Sequence, residues 1–195
     1  SKATIKPFNM DTQEQQEDIN NIEKQKLNLR PIDFYKELDT LYMDSLGKGD
    51  RYYLQDFGIY NNELTDDEFM LRLRLPAGRI SNENLLEIAK IVTEYKLYIL
   101  LTARSGMQLH GLDEDNVIEV FKKVDALGVS SWQTFGDNIR NIASDVFDGC
   151  GKYNMIEVYP YVKQMEEFIL EVPEYVGMLP RRVSIGISGS YANGG

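Results

Sequence analysis

From Phe69 to Leu75 the chain reads FMLRLRL, an alternation that admits a half-buried strand and little else. Phe69, Leu71, Leu73 and Leu75 project to one side, and Met70, Arg72 and Arg74 project to the other. Taken alone, the pattern describes an edge strand with a solvated charged face. Arg74 is then a plain surface residue. The chain carries a net charge of −10, so any cluster of arginines runs against its general trend.

The segments that follow fix an order around this strand. Pro76-Ala77-Gly78 signals a turn. Ser81 is a good N-cap for a helix whose apolar face is Leu85, Ile88, Ala89 and Val92. LYILLTA (97–103) is a continuous apolar strand, Ser105-Gly106 turns, and MQLHGL (107–112) returns. Asp113 caps a second helix with Val117, Val120, Phe121, Val124 and Leu127 inward, and Gly128 stops it. VSSWQTF (129–135) predicts a last strand. The order is β-α-β-β-α-β, the split β-α-β or ferredoxin-like arrangement of an α+β fold.

On either side the texture differs. Residues 1–60 form a leader. Residues 11–29 are a polar helix, read as a solvated arm or a wrap across a partner. PIDFYKELDTLYMDSLG is a short amphipathic helix with Phe34, Leu38 and Leu41 on one face, and RYYLQDFGIYNN is aromatic and extended. The β-α-β-β-α-β unit covers 61–135. Within 136–195, GDNIRNIASDVFDGCGKYN is turn-rich, YPYVKQMEEFILEVPEY holds a helix, and LPRRVSIGISGS (179–190) is a lone strand that suggests an interrupted domain.

Cys150 and His110 are the only cysteine and histidine among 195 residues. They exclude an internal disulfide, a Cys/His zinc site and a complete cysteine-ligated iron–sulfur cluster built from this chain alone. No P-loop or G-x-G-x-x-G occurs, and no apolar run reaches membrane-spanning length. The negative charge argues against nonspecific nucleic-acid binding.

FMLRLRLPAG (69–78), LTARSGMQLHGL (101–112), GDNIRN (136–141) and LPRRVSIGISG (179–189), in this order, resemble the sirohaem-dependent nitrite and sulfite reductases. The resemblance covers about residues 50–190. It implies an N-terminal half of such an enzyme: a ferredoxin-like unit followed by the first, incomplete part of an α/β sirohaem and [4Fe-4S] domain. The cluster ligands would lie outside this chain, in a C-terminal half. The whole protein would be a cytoplasmic enzyme reducing sulfite to sulfide or nitrite to ammonia, with electrons from ferredoxin or a flavoprotein. The N-terminal part would be inactive alone.

Residue by residue, the resemblance implies that Arg72, Arg140 and Arg182 face the substrate anion. It implies that Arg104, Gln108 and His110 grip the sirohaem carboxylates, with Ser184 beside them. Guanidinium groups suit both guests, since they offer paired donors and stay charged when desolvated. Without the motif, His110 reads as an ordinary hydrogen-bonded histidine, Asp137 and Asn138 as turn formers, Arg181 as structural or solvent-facing, and Cys150 as a small, partly buried side chain.

Four positions depart from the family pattern. Arg182 and Ser184 stand where lysines are usual, Leu100 replaces an arginine that some members use on the haem, and Ala77 replaces a turn glycine. Arginine scarcely donates a proton, so altered chemistry is expected. The rival readings are a non-catalytic tetrapyrrole-binding or regulatory module of the same fold, and a ferredoxin-like interaction domain with no cofactor.

Overall fold

The computed structural model describes residues 21–62 and 65–191. Three helices open it: α1 (Asn21–Asn28), α2 (Pro31–Lys36) and α3 (Lys48–Asp56). A hairpin follows, β1 (Ile59–Asn62) and β2 (Thr65–Leu73). Then come α4 (Asn82–Glu94), β3 (Tyr98–Leu101), β4 (Met107–Leu112) and α5 (Val117–Ala126). The four strands form one antiparallel sheet in the order β1-β2-β4-β3.

This α+β arrangement keeps the β-α-β-β-α core expected from the sequence but fills its fourth strand position differently. Residues 129–135 form turns rather than a strand, and β1, expected as part of the leader, lies beside β2 instead. The cause is local polar competition. Ser131 Oγ donates to the Phe57 carbonyl at 2.7 Å, and Thr134 Oγ donates to the carbonyls of Ser131 and Arg72. Hydroxyls that bond nearby backbone in this way draw it out of a ladder. Gln133 takes a positive φ of 60° in the same stretch.

One large core unites the leader with the half-domain. Phe34, Leu38, Tyr53, Leu54 and Phe57 are buried with Phe69, Leu71, Leu73, Leu109 and the inner face of α5. Each such aliphatic or aromatic side chain contributes about 1.5–3 kcal/mol by leaving water. The helix α1 is tied down as well, since Tyr53 Oη donates to the carbonyls of Gln25 (3.1 Å) and Leu29. The solvated arm expected for 11–29 is therefore corrected over 21–29; its earlier part lies outside the described residues. On α4 the buried positions are Ile88 and Ile91, while Leu85 and Ala89 are exposed. Apolar residues occupy 85, 86, 88, 89, 91 and 92, so more than one stripe satisfied the helical period.

A smaller core holds the remainder. Ile142, Val158 and Val162 are buried, with Ile169, Ile185, Ile187 and Ala77 packed against them. It joins β5 (Ala143–Ser144), α6 (Tyr159–Glu171) and β6 (Gly186–Ile187). The strand expected over 179–190 shrinks to β6, and it is not alone: it pairs in parallel with β5, extended by a bridge from Ile139 to Val183. A partner hidden in the turn-rich GDNIRNIAS stretch had no periodicity to announce it. Cys150 is exposed rather than partly buried. Ala77 adopts φ +53°, the left-handed region where glycine is favoured. Among the described residues no helix is long and apolar enough to cross a membrane.

Candidate functional site

One face of the sheet is lined by helices and the other is open. Across the open face the register sets Tyr60, Met70, His110 and Tyr98 in one row, and Arg72, Gln108 and Leu100 in the next. Tyr98 and Leu100 are about half exposed. The Tyr98 and His110 rings stack with centroids 5.1 Å apart. Phe135, reached from the turns after α5, places its ring 3.8 Å from the Arg72 guanidinium carbon and stacks on Tyr60 at 5.7 Å. Such a contact holds the cation by the ring's quadrupole while leaving its N–H edge available.

Gln108 couples the two rows. With its amide oxygen toward Arg72 it accepts from Nε at 2.9 Å and Nη2 at 2.5 Å, and its nitrogen donates to His110 Nε2 at 2.9 Å. That orientation makes His110 Nε2 an acceptor, so the ring is neutral with its proton on Nδ1. Burial lowers the His110 pKa, and the Arg72 charge adds to this against an opposing effect of Glu68.

The second half of the site is the loop 132–142, which four buried polar side chains hold in shape. Arg74, expected at the surface, is 3 % exposed. Its Nε donates to Glu166 Oε2 at 2.5 Å, its Nη1 to the Ile139 carbonyl at 2.7 Å and its Nη2 to the Arg140 carbonyl at 3.1 Å. Glu166 Oε1 in turn accepts from the Ile142 N–H at 2.8 Å. Asn141 accepts from the Leu75 N–H at 3.0 Å and donates to the Arg104 carbonyl at 2.9 Å, pinning the β3–β4 turn to the loop. Asn138, expected as a turn former, is fully buried: it donates to Asp56 Oδ1 and the Phe135 carbonyl and accepts from the Gly177 N–H.

Arg140 is turned by the same loop. Its Nη1 donates to the Thr134 carbonyl and its Nη2 to the Gly136 carbonyl at 3.1 Å, while its buried Nε has no partner among the described residues. An unpaired buried donor is uncommon enough to require a reason.

These pieces enclose a cavity of about 410 Å³, lined by Arg72, Arg104, Gln108, Arg140, Asn141, Arg182 and the Thr134–Phe135 backbone turn. Among the described residues, none of its four arginines has a carboxylate at ion-pair distance. Burial first, then the charges of Arg140 and Arg104, pushes the Arg72 pKa down to about 10. Arg140 is lowered by burial and by Arg104 and Arg182, partly offset by Asp137 and Asp56. Four like charges converging with no carboxylate in direct contact favour an anionic guest. A neighbouring cavity of about 340 Å³ makes the contrast: there Arg74 is paired with Glu166, and Arg79 with Asp148 and Glu157.

Of the residues named from sequence, Arg72, Arg104, Gln108, Arg140 and Arg182 line one cavity. His110 touches it only through Gln108, and Ser184 is exposed outside the lining. Arg181 is exposed. Phe135, Asn141 and Glu166 were not singled out by sequence reasoning. Asn141 lay inside a quoted motif, whereas nothing local marked Phe135 or Glu166.

The profile described as "Nitrite/Sulfite reductase ferredoxin-like half domain" matches residues 62–127. The ferredoxin–nitrite reductase of Synechococcus elongatus is 27 % identical over 187 residues, covering 91 % of this chain and 36 % of the relative. The sulfite reductase [NADPH] hemoprotein beta-component of Vibrio campbellii is 33 % identical over 103 residues, 52 % of this chain and 18 % of the relative. The solved Mycobacterium tuberculosis NirA protein superposes with a TM-score of 0.73 at 22 % identity over 87 % of this chain and 35 % of that one, which speaks for the fold. The chain thus spans about a third or less of the length of the relatives it matches. Residues 62–127 match the half domain of nitrite and sulfite reductases on the same β-α-β-β-α core seen in the structure, and the chain is similar over most of its length to proteins named for those activities.

Proposed function

We propose that this chain supplies one part of an oxyanion-reducing site: the arginine-lined cavity receives sulfite or nitrite, and the open sheet face beside it receives sirohaem. The observation that carries the reading is the convergence of Arg72, Arg104, Gln108, Arg140 and Arg182, from four separate segments, on one cavity free of acids. The donor set fits the group. A macrocycle bearing several carboxylates needs a flat, partly apolar surface edged by guanidinium and amide donors. Tyr98, Leu100 and Met70 give the surface, and Arg104, Gln108 and His110 the edge. When bound, sirohaem supplies the iron centre at which such an oxyanion is reduced.

The chain's own residues then have distinct tasks. Arg72, fixed by Phe135 and Gln108, presents its donors to the anion in a preset orientation. Arg140, held by its two terminal nitrogens on the loop carbonyls, adds fixed positive charge to the cavity wall. Arg182 closes the rim. Positive charge set in place beforehand offsets negative charge that grows during reduction without reorganisation at that moment. Under this reading a [4Fe-4S] cluster, its ligands and a ferredoxin or flavoprotein donor belong to the remainder of the protein, and this part alone does not turn over. Residues 61–135 then form the half-domain and 136–195 the first part of the sirohaem domain.

In the full-length protein, Arg104→Ala with Gln108→Ala is expected to weaken sirohaem retention roughly tenfold or more, read as haem absorbance per protein after dialysis. Undiminished absorbance in the double variant would remove the cradle from the reading. Arg182 holds an anion but does not readily release a proton. Arg182→Lys is therefore expected to raise turnover and shift its pH profile, and a profile superposable on that of the parent would count against the proton-poor rim.

A further inference from the structure

Asp56 ends α3, and its carboxyl is wholly buried. Oδ1 accepts from Asn138 Nδ2 at 2.7 Å, while Oδ2 has no hydrogen-bond partner among the described residues. Two glycines wall it in. A side chain at Gly136, which has φ +65°, would collide with Oδ1, and one at Gly177 would fall 2.6 Å from Oδ2. The Gly136 carbonyl is also an acceptor of Arg140. One residue, Gly136, therefore stands between the Asp56 carboxyl and a guanidinium of the arginine-lined cavity.

Charged and titratable groups face Asp56 from three elements. Lys26 faces it from α1, Tyr52 and Tyr53 from its own helix, and Asp137 and Arg140 from the loop. Lys26 is committed elsewhere, to Glu23 at 3.0 Å and Asp137 at 3.1 Å. Burial pushes the Asp56 pKa up to about 7 against the Asn138 hydrogen bond and the charges of Lys26 and Arg140, with Asp137 adding to the rise. The carboxyl thus sits close to balance between its two forms.

We propose that Asp56 is a positioning residue that takes up a proton from solvent on Oδ2 when an oxyanion enters the arginine-lined cavity. The inference rests on the reading of that cavity as an anion site. While the cavity is empty, its guanidinium charges favour the carboxylate. An entering anion cancels part of that field, and the acid form becomes favoured. Linkage makes the effect reciprocal: an anion that raises the affinity of Asp56 for a proton is itself held more tightly once the proton is on. Anion affinity is therefore highest where Asp56 is protonated, falls as pH rises through about 7 and levels off above it. In the acid form Asp56 no longer competes with the guest for Arg140, while Asn138 and Gly136 keep the loop in place.

The test uses inorganic sulfate, a dianion throughout this pH range, added to the full chain. Binding is read from the arginine side-chain N–H signals by NMR, and the Asp56 carboxyl carbon is titrated with and without saturating sulfate. Sulfate affinity is expected to fall roughly fivefold between about pH 6 and about pH 8.5, and the Asp56 midpoint to move up with sulfate bound. Asp56→Asn is expected to abolish the fall, and His110→Gln to keep it, which separates Asp56 from the other titrating group near the cavity. Sulfate that binds equally at every pH, or an Asp56 midpoint that sulfate leaves in place, overturns the coupling and leaves the anion site standing. Arginine signals indifferent to sulfate at every pH overturn the anion site and the coupling with it. The carbon titration is made on the unsubstituted chain, so it decides the matter even if Asp56→Asn does not fold.

Discussion

Glu166→Ala is expected to cost the fold about 3–5 kcal/mol, because it leaves the Arg74 guanidinium charged and unpaired in a dry interior. The two side chains are 1 % and 3 % exposed. Burial already pulls the Arg74 pKa down, and Glu166 is the charge that holds it up. The variant also strips the Ile142 N–H of its acceptor. Urea unfolding would read the loss as a lower midpoint at unchanged slope. Arg74→Met combined with Glu166→Leu is expected to recover most of the stability, since similar-sized apolar residues often replace a buried pair at little cost. The double variant would still lack the donors that hold the Ile139 and Arg140 carbonyls, so its loop should loosen although its fold recovers. A Glu166→Ala chain within 1 kcal/mol of the parent would mean that water reaches Arg74.

The second large effect concerns turnover. In the full-length enzyme, Arg72→Ala is expected to lower kcat/KM for sulfite or nitrite by roughly 10²–10³, the usual consequence of removing one preset charge-stabilising donor. Arg72 is the cleanest position to test, because its contacts are Phe135 and Gln108 rather than the loop backbone. Arg72→Lys should recover only part of the loss, since an ammonium keeps the charge but not the paired geometry. Turnover with an artificial electron donor, normalised to bound sirohaem, checks both. A drop that simply follows lost sirohaem would move Arg72 from the substrate to the cofactor.

How far the sequence could be read depends on how local each feature is. The alternation at 69–75 and the caps at Ser81 and Gly128 described β2, α4 and α5 because periodicity and capping act within a few residues. The 129–135 stretch failed because Ser131 and Thr134 bond the backbone of Phe57 and Arg72, contacts invisible to a local pattern. Arg74 misled for the opposite reason. It continues the alternation of a strand that ends at Leu73, and its partner lies 92 residues away. The four arginines could be named from motifs, but that they share a cavity is set by Asn141, Asn138 and Glu166. Those residues join segments distant in the chain, and single-sequence patterns carry no such information.

Lys26 gives the first helix a reach that its polar character hides. Nearly enclosed, it spans from Glu23 to Asp137, next to the Gly136–Asn138 turn that shapes the arginine loop. Trimming the chain to begin at α2 in order to obtain a tidier half-domain would discard this strut. In the shortened protein Asp137 would lose its lysine partner and weigh more heavily on Arg140, misrepresenting the charge balance of the cavity the protein was made to isolate.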